Sequence, residues 1–143
     1  MIVLDTNVIS ELARPAPSAR VLAWVDAQDD VAITATTAAE LLYGIARLPD
    51  GKHKARLAKG IEEMIDGPLR DKVLAFDRAA AYHYAEIVAG RDRAGHPITV
   101  ADAQIAAICR SHQATLGTRN VRDFEAVDIV VINPWDDPVD GDA

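Results

Sequence analysis

The chain has 143 residues, half of them hydrophobic, and a formal net charge of −7. That is the size of one ordinary domain with enough apolar material for a core, and the lone Cys109, set in an apolar pattern, excludes an internal disulfide and reads as a buried thiol in a reducing compartment. The acidic balance argues against a strongly basic nucleic-acid grip, while a polyanion held through a cation at one local cluster stays compatible with it.

The first element is the apolar run 2–4 in "MIVLDTNVIS", a strand that ends in Asp5, Thr6 and Asn7. Asp and Asn often close strands by bonding the nearby backbone, so a turn is one reading. The other makes Asp5 a ligand of a metal site. A helix is expected over 17–28 and a strand over 31–33, followed by a helix over 37–48. That helix starts with "TAAE", the outline of a capping box with Thr37 as N-cap and Glu40 reaching back. A helix over 52–66 carries Lys52, Lys54, Arg56 and Lys59, either a solvated face or a phosphate-positioning patch.

A strand over 73–76 and a helix over 77–91 come next, then the loop "RDRAGHP" and a helix over 100–112. "TVAD" repeats the capping outline, with Asp102 in the first turn, where the helix dipole favours an acid. Asp102 also begins the stripe Ile105, Ala106, Cys109 that should face the core. A carboxylate at the edge of an apolar face needs a partner. A strand over 114–118 leads to a polar loop with Asn120 and Asp123, and a last strand spans 128–132. Asp123 taken alone reads as a turn or cap residue. The four histidines lie scattered and receive no role, and Trp24 and Trp135 read as packing residues.

Strands alternating with helices predict an α/β fold, a mainly parallel central sheet flanked by helices, over residues 1–135. The tail 136–143 holds four acids and no base; without those acids the body carries −3, and a frayed end is expected there. No basic leader and no stretch near the ~20 apolar residues of a membrane span is present, so a soluble, cytoplasmic chain is expected.

In open α/β sheets ligands gather at the carboxyl ends of strands, where Asp5, Thr6, Thr118 and Asn120 should lie. Helix starts at that edge can add Glu40 and Asp102. Several carboxylates in one volume raise one another's pKa values, a conflict that a divalent cation resolves. An all-oxygen ligand set without zinc-type His or Cys spacing favours Mg²⁺, with Mn²⁺ as a substitute. Hydrolysis of a phosphodiester is the chemistry such a site serves best.

The succession "MIVLDTNVIS", "TAAELLYGI", "VADAQIAAI", "TRNVRDF" and "INPW" resembles the PIN-domain ribonucleases, specifically the VapC-type, FitB-like toxins of type II toxin–antitoxin modules. The resemblance implies a PIN-like fold, Mg²⁺-dependent endoribonuclease activity on RNA, a VapB-type antitoxin partner and a homodimer that the antitoxin assembles further. It also implies that Asp5, Glu40 and Asp102 ligate the metal, that Asp123 takes the fourth acidic position, through water in some members, and that Thr6, Thr118 and Asn120 orient water or phosphate. Leu41, Leu42, Ile45, Leu57, Ile61 and Ile65 are then candidates for a partner groove, or equally for the core. Aspartyl phosphotransferases and phosphoaspartate receivers fit less well, since Asn7 replaces the expected second Asp and the last strand runs into Asn133, Pro134 and Trp135 rather than a lysine. A non-catalytic, metal-stabilised binding module is the alternative that stays open.

Overall fold

The computed structural model describes residues 1–136. Five strands form one sheet: β1 (Ile2–Leu4), β2 (Val31–Thr34), β3 (Val73–Leu74), β4 (Thr115–Gly117) and β5 (Val131–Ile132), in the order β3-β2-β1-β4-β5. Every pairing is parallel, with Val3 opposite Ala32 on one side and Leu116 on the other. Parallel neighbours require crossovers; among the described residues six α-helices supply those from β1 to β4, and a 3-10 turn (Val121–Phe124) lies in the connection from β4 to β5. The helices are α1 (Thr6–Leu12), α2 (Ala19–Asp26), α3 (Ala35–Ala46), α4 (Lys52–Asp66), α5 (Arg78–Arg93) and α6 (Val100–Ser111).

Successive strand residues point to opposite faces, which divides the core in two. Val3, Ala32 and Leu116 pack with Ile105, Ile108 and Cys109 of α6 and with Ile87 of α5. Leu4 and Ile33 pack on the other face with Val8, Val21, Trp24, Leu41, Ile45 and Ile61 of α1 to α4. The sheet is therefore covered on both faces, as an all-parallel sheet requires. At the end of β4 the Trp24 indole fills the space a side chain would take: a Cβ on Gly117 would lie 3.0 Å from its ring.

The expected strand over 2–4 and helix over 52–66 have those bounds, and the other expected elements are present with shifted ends. Three strands are shorter than expected, that over 114–118 by one residue at each end. The pairing of 73–76 stops at Leu74, and that of 128–132 is confined to Val131 and Ile132, because Asp128 adopts a left-handed φ of 59° that no regular strand accommodates. The seven-residue α1 was not expected at all; it begins directly after β1 with Asp5 as N-cap. Thr37 is not a cap: the helix starts earlier, and the Thr34 hydroxyl accepts the Thr37 N–H at 3.0 Å. Glu40 thus sits beyond the first turn and takes no part in a capping box. Thr99 does cap α6, accepting the Asp102 N–H at 3.2 Å.

Of the six apolar residues proposed for a partner groove, Leu41, Ile45 and Ile61 belong to the core, Leu57 and Ile65 pack against it, and Leu42 is exposed. Of the tail, Asp136 alone is described, and it accepts a hydrogen bond from Asn133 Nδ2. The expectation of a frayed acidic end otherwise lies outside the described residues. Among the described residues no helix is long and apolar enough to cross a membrane.

Candidate active site

β1 is the central strand, and the chain proceeds from it to one side through β2 and β3 and to the other through β4 and β5. The gap between the ends of β1 and β4 is the switch point where this architecture binds ligands. Asp5 leaves β1 and Thr118 leaves β4, and the buried Thr118 hydroxyl donates to Asp5 Oδ2 at 2.7 Å. The Thr6 N–H donates to Asp5 Oδ1 at 2.8 Å, and Asn7 Nδ2 bridges Asp5 and Thr118 at 3.4 and 3.2 Å. As the cap of α1, Asp5 is placed by the helix start as well as by the strand end.

Glu40 reaches the same place from α3, where Thr6 Oγ1 donates to its Oε1 at 2.9 Å. Its Oε2 has no hydrogen-bond partner among the described residues. Asp102 enters from the first turn of α6. Asp5, Thr6, Asn7, Glu40, Asp102 and Asn120 all line one open cleft of about 520 Å³. Asp123 does not. It lies exposed on a 3-10 turn (Val121–Phe124) beside the cleft, held by Arg91, which donates to the carbonyls of Asp123 and Glu125 at 3.1 and 3.0 Å.

The acids also shift one another's titration. Burial pushes the Asp102 carboxyl up to about 6, and the charges of Asp5, Asp123 and Glu40 push in the same direction against the Thr99 hydrogen bond. Burial raises Asp5 too, with Asp123 adding to it and the Thr118, Thr6 and Asn7 hydrogen bonds opposing it. Asp123 therefore acts on both acids through its field although it stands outside the cleft. Cys109 beneath is pushed up to about 12, chiefly by burial, and stays an inert thiol.

The donor set is all oxygen, carboxylates supported by hydroxyls, which is the chemistry of a hard cation. Among the described residues no three of these side chains close into a ligand cage of protein atoms alone. The fit is to a cation held through one or two carboxylates and its own waters, as Mg²⁺ commonly is. The cleft also contains Asn7, Ser10, Glu11, Arg14 and Arg119, to which sequence reading gave no site role, and Trp135, which it read as a packing residue. The basic residues of α4 are elsewhere, and Lys54 pairs with Asp50.

Fold and cleft together define the class: a parallel α/β protein with an oxygen-only acidic cleft at its switch point. The chain belongs to the PIN-domain family, whose model matches residues 2–130. It is 43% identical to Toxin FitB of Neisseria gonorrhoeae, over 96% of this chain and all of that one. It is 41% identical to VapC ribonuclease Y4jK of Sinorhizobium fredii, over 95% and 99% of the two chains. Among solved structures, FitAB bound to an IR36 DNA fragment superposes with a TM-score of 0.88 at 41% identity, covering 96% of this chain and 98% of that one.

Proposed function

We propose that the chain is the toxin of a VapBC-type toxin–antitoxin module and a metal-dependent endoribonuclease. The observation that carries this reading is the meeting of Asp5, Glu40 and Asp102, from three elements far apart in sequence, on one cleft at the β1/β4 switch point. Relatives that bear the names toxin and ribonuclease across their whole length support it. When bound, Mg²⁺ or Mn²⁺ neutralises the cluster, acidifies a water and stabilises charge on the attacked phosphate.

Asp5, Glu40 and Asp102 would hold that cation, and Asp123 would add its field and, through water, a fourth acidic position. Thr118 and the Thr6 N–H fix the Asp5 carboxylate, and the Thr6 hydroxyl fixes Glu40. Glu40 Oε2 is left for the cation or for an attacking water. Asn120 presents its side chain on the cleft wall, while its N–H donates to Thr118 Oγ1 at 3.0 Å. The groove between α3 and α4, lined by Leu41, Ile45, Leu57 and Ile61, runs into Thr6, Ser10 and Glu40. It is the surface we assign to a segment of a VapB-type antitoxin, which would cover the acids as it docks. Homodimerisation belongs to the same reading.

The test is cleavage of total cellular RNA by antitoxin-free protein with Mg²⁺, with Mn²⁺ and with EDTA, beside Asp102→Asn. Cutting that needs the cation and disappears in the variant is the expected result. Intact RNA under every condition, from folded protein, would favour the non-catalytic binding module.

A further inference from the structure

We propose that Arg119, seated on the indole of Trp135, grips a backbone phosphate of the RNA strand beside the scissile bond. The assignment rests on the nuclease reading above. Arg119 follows Thr118 directly, and its N–H donates to Asn7 Oδ1 at 3.1 Å, so its backbone is tied to the strand ends that carry Asp5. Its guanidinium carbon lies 4.7 Å from the Trp135 ring centroid, within cation–π range, and both side chains line the acid cleft. Trp135 is itself anchored. Its N–H donates to Asn133 Oδ1 at 3.0 Å, and its ring packs against the core cluster that contains Trp24.

The stack explains why a guanidinium can border an acid cluster without collapsing into it. A free arginine on that rim would form an ion pair with a carboxylate and occupy the cation's place. Resting on the indole, Arg119 makes no side-chain hydrogen bond to any described residue and stays apart from Asp5, Glu40 and Asp102. The carboxylate its charge acts on is Glu11, which is already held by Arg14 at 2.9 Å and by the Ser18 N–H.

Two guanidiniums near the cleft are engaged: Arg14 Nη1 bonds Glu11, and Arg91 Nε and Nη1 donate to the carbonyls of His96, Asp123 and Glu125. Of the two cations that line the cleft, Arg119 is therefore the one available to an anion. Stacking fixes the guanidinium plane and leaves its edge donors for bidentate contact, the geometry that suits a phosphate. A base is the poorer occupant, because the guanidinium covers the indole face on which a base would stack. Acids that draw the scissile phosphate through a cation repel the phosphates on either side, and one positive contact at the rim offsets that repulsion.

The experiment measures binding of labelled bulk tRNA and of a mixed-sequence single-stranded RNA, with Mg²⁺ present and over a series of salt concentrations. Asp5→Asn serves as the non-cleaving reference, and Arg119→Ala, Arg119→Lys, Trp135→Phe and Arg56→Ala are each added to it. Arg119→Ala should weaken binding roughly ten-fold and make the slope of log affinity against log salt shallower by about 0.7. Arg119→Lys should keep the slope and lose part of the affinity. Trp135→Phe should weaken binding less than Arg119→Ala does, again at unchanged slope. Arg56→Ala removes an exposed charge on α4 and should change neither quantity. In the cleaving enzyme, Arg119→Ala should raise KM with kcat within about two-fold of wild type.

RNA bound by the reference with unchanged affinity and slope after Arg119→Ala overturns the grip and leaves the nuclease reading standing. An Arg56→Ala loss as large as that of Arg119→Ala also overturns it, since any surface charge would then do. No RNA bound by the reference and none cut by wild type overturns both.

Discussion

Replacing Thr118 by Val removes one buried hydroxyl and leaves the shape of the side chain. That hydroxyl donates to Asp5 Oδ2 at 2.7 Å and accepts from Asn7 Nδ2 and the Asn120 N–H at 3.2 and 3.0 Å. Asn120 is exposed and regains a partner from water, and Asn7 keeps its contact with Asp5. The loss that cannot be recovered is the bond to a buried carboxylate, so destabilisation near neutral pH should be about 2–3 kcal/mol. The pH dependence is set by Asp5, whose folded pKa is raised above 3.8 and which the Thr118 bond holds down. Removing that bond raises it further. For a raised carboxylate, stability is fully present below the unfolded value and is lost as pH rises through the folded one. The difference between Thr118→Val and wild type should therefore be largest near neutrality and shrink as pH falls toward 3.8. Urea unfolding in EDTA reads it as a shift in midpoint at constant slope. A loss below about 0.5 kcal/mol, or the same loss at both pH values, would refute the account of how Asp5 is held.

Asp102 is raised to about 6, so the metal-free wild type should lose stability as pH rises through that value, and Asp102→Asn should abolish the loss. Because Asp102 is half-buried, the effect should be only about 1 kcal/mol, read as Tm against pH in EDTA. Mg²⁺ at about a hundred times its Kd should stabilise wild type by roughly 2.7 kcal/mol beyond any effect of matched NaCl, and Asp102→Asn should lose most of that gain in calorimetry. Gly117→Ala drives a Cβ to 3.0 Å from the Trp24 ring and should cost about 1–3 kcal/mol by urea unfolding.

What the sequence made legible follows from which features are periodic. The helix Lys52–Asp66 was readable to its ends because fifteen residues carry several turns of pattern. Thr6–Leu12 has seven residues, too few for a period, and its cap residue reads equally well as the end of a strand. Thr34, Thr36 and Thr37 are all chemically able to cap α3; the strand passes into the helix with no loop, so the first of them does so, and a one-dimensional pattern favours the one followed by a glutamate. Asp102 was recognisable as misplaced, because it heads a stripe whose members Ile105, Ala106 and Cys109 are fully buried. Arg119 and Trp135 share no period and sit in different loops. The available signal was positional: each follows the carboxyl end of one of two neighbouring parallel strands, the same reasoning that brought in Thr118.

That correction changes how Glu40 is understood. Had Thr37 been the cap, Glu40 would have been tied to its own helix start; with Thr34 as cap, Glu40 is bound by Thr6 instead, across thirty-four positions of chain. Three of the cleft carboxylates thus have a threonine hydroxyl as partner, Asp5 from Thr118, Glu40 from Thr6 and Asp102 from Thr99, while Glu11 at the rim is held by Arg14. A lysine or arginine in those places would hold the acids more strongly and compete with the cation for them. A hydroxyl positions a carboxylate without neutralising it, and it can equally accept from the protonated acid. The supports therefore orient the acids without neutralising them, as the proposed cation would require. The one uncommitted guanidinium on the cleft wall is held off them by an indole.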